Sequence, residues 1–235
     1  MNRRTAEPTA APPSVRDVRG FWRILLAVVA PVPMLAQAIG TLVSPADAGA
    51  AFQETVAAAA ADQQAFTAMQ WLNSVFVIGL IPATVAVAWA ARRGAPRLAT
   101  IGAVVALTGF LSGFGLLPDD HALALATTRE ALDLQAMTRL DGALWAMPVN
   151  GLASLLFIVG LTIGLALLGT ALWRSRVAPA WTGIALIAGA VTHPFLPGAA
   201  LAATGLAVGA VGFAGATVAL LRLRNEEFDL PPVRP

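Results

Sequence analysis

The sequence predicts an all-α polytopic membrane bundle of six transmembrane helices with two further amphipathic helices on the outer face. Three observations lead there. First, 57% of the 235 residues are apolar and only 12% are charged, against about 25% charged in a soluble domain. That is too little charge to cover a water-facing surface, and the mean hydropathy is +0.74. Second, six apolar runs can be marked at about 21–43, 71–91, 98–117, 147–173, 177–196 and 198–221. Each is close to or above the roughly 20 residues that cross ~30 Å of hydrocarbon at 1.5 Å per residue. Backbone polar groups in hydrocarbon must be satisfied within the segment, and strand alternation is absent, so the runs are helices. Third, the arginines alternate in the register that six crossings require.

Residues 1–20 are Pro/Ala-rich and polar and read as a disordered cytoplasmic tail, and 223–235 as a second tail. Arg3, Arg4, Arg16, Arg19 and Arg23 accompany the start of the first run. Arg92, Arg93 and Arg97 separate the second from the third. Arg174 and Arg176 separate the fourth from the fifth, and Arg222, Arg224 and Arg234 follow the sixth. Only Arg129 and Arg139 fall on the other side, so the positive-inside rule places both termini in the cytoplasm of an inner-membrane protein. Tryptophans agree, with Trp22, Trp89, Trp173 and Trp181 at the inner interface and Trp71 and Trp145 at the outer. Pro31 and Pro33 are expected to bend the first span and Pro82 the second. Small-xxx-small steps at Gly109–Gly113, Gly160–Gly164 and Gly205–Gly209 predict close packing among spans three, four and six.

Two outer segments are too long for turns. In 45–68, Ser44-Pro45-Ala46-Asp47 looks like a capped helix start. Phe52, Val56, Ala59 and Phe66 recur near helical spacing, which predicts one amphipathic helix. In 118–146, Asp119 and Asp120 are candidate caps, and Thr127 to Glu130 is a second capping-box match. Both helices are expected to lie over the outer mouth of the bundle.

Several classes are excluded. The pI of 10.9 suggests nucleic acid, but all fifteen basic residues are Arg, the net charge is +2, and they flank apolar runs instead of lining a face. With no cysteine there are no disulfides, thiolate metal sites or thiol redox chemistry. The first apolar run is long and lacks a small-residue cleavage site, so it reads as a retained helix.

Residues 172–192, LWRSRVAPAWTGIALIAGAVT, place a charged inner loop, a Pro-x-Trp step and a Gly-containing helix in succession. This passage resembles a bacterial family of small six-helix membrane proteins known only as a domain of unknown function. The resemblance extends to the layout of lid-like helices after spans one and three, and it brings no assigned catalytic residues.

Polar residues inside spans are costly and mark function when they cluster. Gln37, Gln70, Asn73, Ser74, Ser112, Asn150, Ser154, Thr192 and His193 all fall in or near the outer third. Asp119, Asp120, His121, Arg129, Glu130, Asp133, Arg139 and Asp141 lie just beyond. An outward-opening polar pocket over an apolar lower bundle follows, between the outer ends of spans two to five. Its expected ligand-binding residues are Asn73, Asn150, His193, Gln70 and Gln37, with Arg139 and Asp141 at the rim. Each has a structural alternative: interfacial hydration for the amides, helix capping for Asp119 and Asp120, and a surface ion pair for Arg129 and Asp133. An intramembrane serine protease from Ser112 and His193 lacks its Gly-x-Ser motif and oxyanion donors. No paired-ligand spacing calls for a metal, and no cofactor is expected. The expected activity is binding of an amphipathic, lipid-like molecule, with membrane lipids as neighbours and no nucleic-acid partner. The alternative is an acid–base enzyme acting on a hydrophobic isoprenoid-like substrate, such as a cyclase or isomerase, with His193, Asp119, Asp120, Glu130 and Asp141 as candidate proton-transfer groups.

Overall fold

The computed structural model describes residues 17–229 apart from Ala48, Pro118, His193, Pro194 and Leu196. Among the described residues every regular element is helical. The two expected tails lie mostly outside this range, but the expected boundaries shift where the chain is described. Helix α1 begins at Arg19, and a short helix follows the last long one.

The first run is one pass made of two helices, α1 (Arg19–Val29) and α2 (Val32–Val43), which meet at Ala30 and Pro31. The expected proline bend is present. Pro31 has no N–H to offer the Ala27 carbonyl one turn back. Thr217, on the last long helix, donates its hydroxyl to that carbonyl at 2.6 Å instead. A freed backbone acceptor is thus satisfied by a neighbouring helix, as an apolar surrounding demands.

The expected single helix over 45–68 is two. Ser44 is extended at the end of α2, and its hydroxyl bonds the Ala46 backbone instead of starting a helix. Helix α3 (Phe52–Ala61) starts later, where the Glu54 carboxylate accepts from Ala51 N at 3.0 Å. The chain then breaks at Asp62, whose carboxylate accepts from Ala65 N and caps α4 (Gln63–Ala91). The alanines of this stretch suit either outcome; an Asp with a capping geometry decides it. Helix α4 has 29 residues and runs through Pro82, about 43 Å at 1.5 Å per residue.

Helix α5 (Pro96–Leu116) returns, and two short helices follow, α6 (Asp120–Arg129) and α7 (Leu134–Trp145). Asp119 caps α6 by accepting from Ala122 N, as expected. The Thr127 capping box does not form, because Thr127 lies inside α6 and donates back to Leu123 O. The chain reverses at Ala131 with φ 48°, and Asp133 caps α7 through Ala136 N. That reversal separates Arg129 from Asp133, so their expected i,i+4 pair is absent.

The fourth run is α8 (Pro148–Val159), a π-turn over Gly160–Gly164, and α9 (Leu165–Ser175). The glycine steps act as expected between α5 and this run. A Cβ at Gly160 would stand 2.8 Å from Gly109 Cα, and one at Gly164 2.7 Å from Ala106 Cα. The Gly205–Gly209 step instead faces Gly189. Helix α10 (Ala180–Thr192) carries that glycine, and α11 (Ala199–Arg222) carries the step. Five helical stretches, with α1–α2 and α8–α9 each taken as one, are long and apolar enough to cross a membrane. Helix α10, with 13 residues, is shorter.

The arginine-rich end is closed by α12 (Asn225–Phe228), which packs on α1. Phe228 is buried against Trp89, with ring centroids 5.2 Å apart. Its carbonyl accepts from Trp89 Nε1 at 3.1 Å and from Arg92 Nη2 at 2.7 Å. Arg92 also lies over the Trp89 ring, 3.3 Å from its centroid. At the opposite end α3, α6 and α7 form a lid layer, and a small core joins Phe52 and Leu125 of this layer to Phe66 and Met69 of α4.

Candidate functional site

Two neighbouring cavities lie under the lid layer and share part of their linings. The first, about 280 Å³, sits between the end of α2, the 44–50 connection and α4, and its polar lining includes Thr41, Ser44, Asp47 and Thr55. The second, about 420 Å³, runs between α4, α5 and α8 past Phe76, Val77, Phe114 and Phe157, with Trp145 at its mouth. Gln37, Asn73, Asp120 and His121 line both. The result is a polar chamber with an apolar arm, of the size that encloses small ligands.

The shared residues arrive from three elements. Gln37 lies in the middle of α2, and its Oε1 is shielded from solvent without a donor. Asn73 projects from α4. Asp120 and His121 open α6, held there by the Asp119 cap and by Phe66 beneath the imidazole, with ring centroids 5.8 Å apart. Asp119 spends both oxygens on structure: Oδ1 accepts from Ala122 N, and Oδ2 accepts from Gln70 Nε2 at 2.6 Å. Gln70 therefore joins α4 to the lid, and its own Oε1 is shielded without a partner.

Asp120 and Asp141 form the electrostatic centre. Burial pushes the Asp120 carboxyl above its ordinary range, outweighing His121 and the Trp145 indole N–H, which favour the charged form. Burial also raises Asp141, and the neighbouring Asp120 charge adds to it. Asp141 Oδ1 is shielded and accepts no hydrogen bond. It stands one helical turn before Trp145, on the same face of α7.

The structure thus brings together Gln37, Asn73, Asp120 and Asp141, with Gln70 and Asp119 bracing them. It does not bring in Asn150, which is buried and donates to Leu144 O at 2.6 Å, fastening the α7–α8 junction. Arg139 bonds Gln135 on its own helix and faces a separate shallow groove with Gln53 and Asp133. Glu130 is exposed at the end of α6. His193 lies outside the described residues. By sequence His121 stands just beyond the expected pocket, and its place directly after Asp119-Asp120 is the signal that carries it into the lining. No group of three or more metal-ligating side chains assembles among the described residues.

Compared with family descriptions, curated proteins and solved structures, the chain matches none of them.

Proposed function

We propose that this is an inner-membrane protein crossing six times, with both chain ends cytoplasmic, whose outward-facing chamber binds an amphipathic, lipid-like molecule. Contacts at the helix ends support the sixth crossing. Thr182, early in α10, lies against Gly215 near the arginine-rich end, whereas Ala199, the first residue of α11, lines the chamber with Asp120. An even number of passes then agrees with α12 docking beside Gly20 and Arg92. Outward-facing Ile78, Ile101, Val104, Leu155 and Ile184 suit a lipid surrounding.

One observation carries the binding reading: the polar chamber and the apolar arm share Gln37, Asn73, Asp120 and His121 in their linings. A headgroup would be held by the polar groups and its chain would follow Phe76, Phe114 and Phe157 between the helices. Mass spectrometry of what co-purifies with the protein in a mild polymer, compared with the bulk lipid extract, tests this. An amphipath enriched over bulk and lost on replacing Gly113 with Phe, beside Phe157 in the arm, is the expected result. Bulk composition in both samples would defeat it.

A second reading draws on the raised carboxyls. Asp120, in the lining of the apolar arm with its carboxyl raised by burial, and the neighbouring Asp141 offer the carboxylic acids that an acid-initiated reaction on an isoprenoid-like substrate requires. Turnover of a polyprenyl substrate that disappears in Asp120→Asn would favour it over binding alone.

A further inference from the structure

We infer that the ligand's headgroup is a protonated amine, received by Asp120, Asp141 and the Gln37 carbonyl oxygen; this rests on the amphipath-binding reading above.

The chamber is an acceptor-rich space with no cation of its own among the described residues. Its carboxylates are Asp47, Asp119, Asp120 and the adjacent Asp141, and His121 is the one basic group beside them. Neither lid arginine turns inward: Arg129 donates to Thr67 Oγ1 at 2.9 Å and Arg139 to Gln135. Both ion pairs among the described residues lie at the opposite end, on Arg19. Asp119 has its two oxygens occupied and Asp47 is exposed to solvent, which leaves Asp120 and Asp141 as the available shielded charge.

The orphaned atoms make an independent argument. Gln37 Oε1 in the chamber lining, and Gln70 Oε1 and Asp141 Oδ1 beside the lining residues Asp119 and Asp120, are shielded from solvent and lack a partner. All three are acceptors. A buried acceptor without a donor is costly, and native structures rarely keep several together. An anionic or purely accepting head would add to that deficit. A head bearing several N–H donors and a positive charge relieves it, and an alkyl chain attached to it fits the apolar arm. The burial that raises both carboxyls points the same way, because a cation between them favours their charged forms.

The test uses the full chain in zwitterionic lipid discs and three photoactivatable probes with one dodecyl tail. Their heads are a primary ammonium, a phosphate and a maltoside. Cross-linked positions are read by peptide mass spectrometry. The expected result is ammonium-probe labelling at Phe76, Phe114 or Phe157 exceeding the other two by about tenfold, the ratio that one charge-assisted hydrogen bond supplies. Asp120→Asn and, separately, Asp141→Asn should abolish the preference while leaving the maltoside signal in place. Equal labelling of the arm by all three probes overturns the amine inference and leaves the pocket standing. Loss of all three signals together in both variants assigns the carboxyls a structural role and also overturns it. Labelling no greater at the arm than at outward-facing Ile101 and Leu155 overturns the pocket reading itself.

Discussion

Replacing Thr217 by Val tests whether α11 compensates the proline in the first pass. The two side chains are nearly isosteric, so the change removes one hydroxyl and little packing. Without it the Ala27 carbonyl, to which Pro31 cannot donate, loses its 2.6 Å partner in the middle of the bundle. An interhelical hydrogen bond of this kind contributes about 0.6 kcal/mol on average and up to ~1.7. Leaving a buried acceptor unsatisfied raises the expected loss to about 1–2 kcal/mol. The assay is reversible unfolding of the purified protein in mixed micelles, followed by circular dichroism. The decisive control is Pro31→Ala, which returns an N–H one turn from Ala27 and makes the threonine redundant. Thr217→Val in that background should cost less than half as much as in the natural chain. Equal losses in both backgrounds would show that Thr217 stabilises by packing, and the compensation argument would be wrong.

Gly109→Ala should destabilise by about 1–3 kcal/mol, since its Cβ meets Gly160 Cα at 2.7 Å, whereas Gly151→Ala, with open space around it, should be neutral or slightly stabilising by the same assay. Asp141→Asn should raise thermal stability at neutral pH and flatten its pH dependence. Its folded carboxyl titrates above the ordinary value, so the native state binds the proton more tightly, and stability falls as pH rises through that raised range. Wild type and variant melting in parallel from pH 4 to 7 would contradict this. Cysteines placed at Ala58 and Ala126 should react with an impermeant maleimide in intact cells, and one at Arg93 only after lysis; the reverse pattern refutes the orientation.

The spans were legible because their signal is additive: twenty apolar residues outvote any one exception. Pro31, Asp119 and the Gly109 and Gly160 pair were legible for a local reason, each acting within one turn or one close contact. The break at Asp62 was not, since Ala57 to Ala61 and Gln63 to Ala65 favour helix on both sides and a single cap divides them. The π-turn at Gly160–Gly164 left no mark beyond a glycine spacing that also serves packing. At the site, depth was readable and azimuth was not. Gln37, Asn73 and Asn150 occupy similar levels, yet only the rotation of each helix decides that two face the chamber and the third fastens a turn. Likewise, no spacing told that Arg139 would pair along its own helix while Asp141, two residues on, would approach Asp120.

The docking of Phe228 sets a timetable for biosynthesis. Its seat is built from Trp89 and Arg92, with α1 alongside, all translated long before it. During translation the Trp89 and Arg92 donors wait without the carbonyl they finally share, so the arginine-rich end of the bundle closes only after the ribosome has read past codon 228. A message truncated after α11 would still encode every long apolar helix described, yet its product would present an open apolar seat. Such a seat is the kind of surface that membrane quality-control proteases recognise, and the last helical turn would then act as the chain's proof of completion.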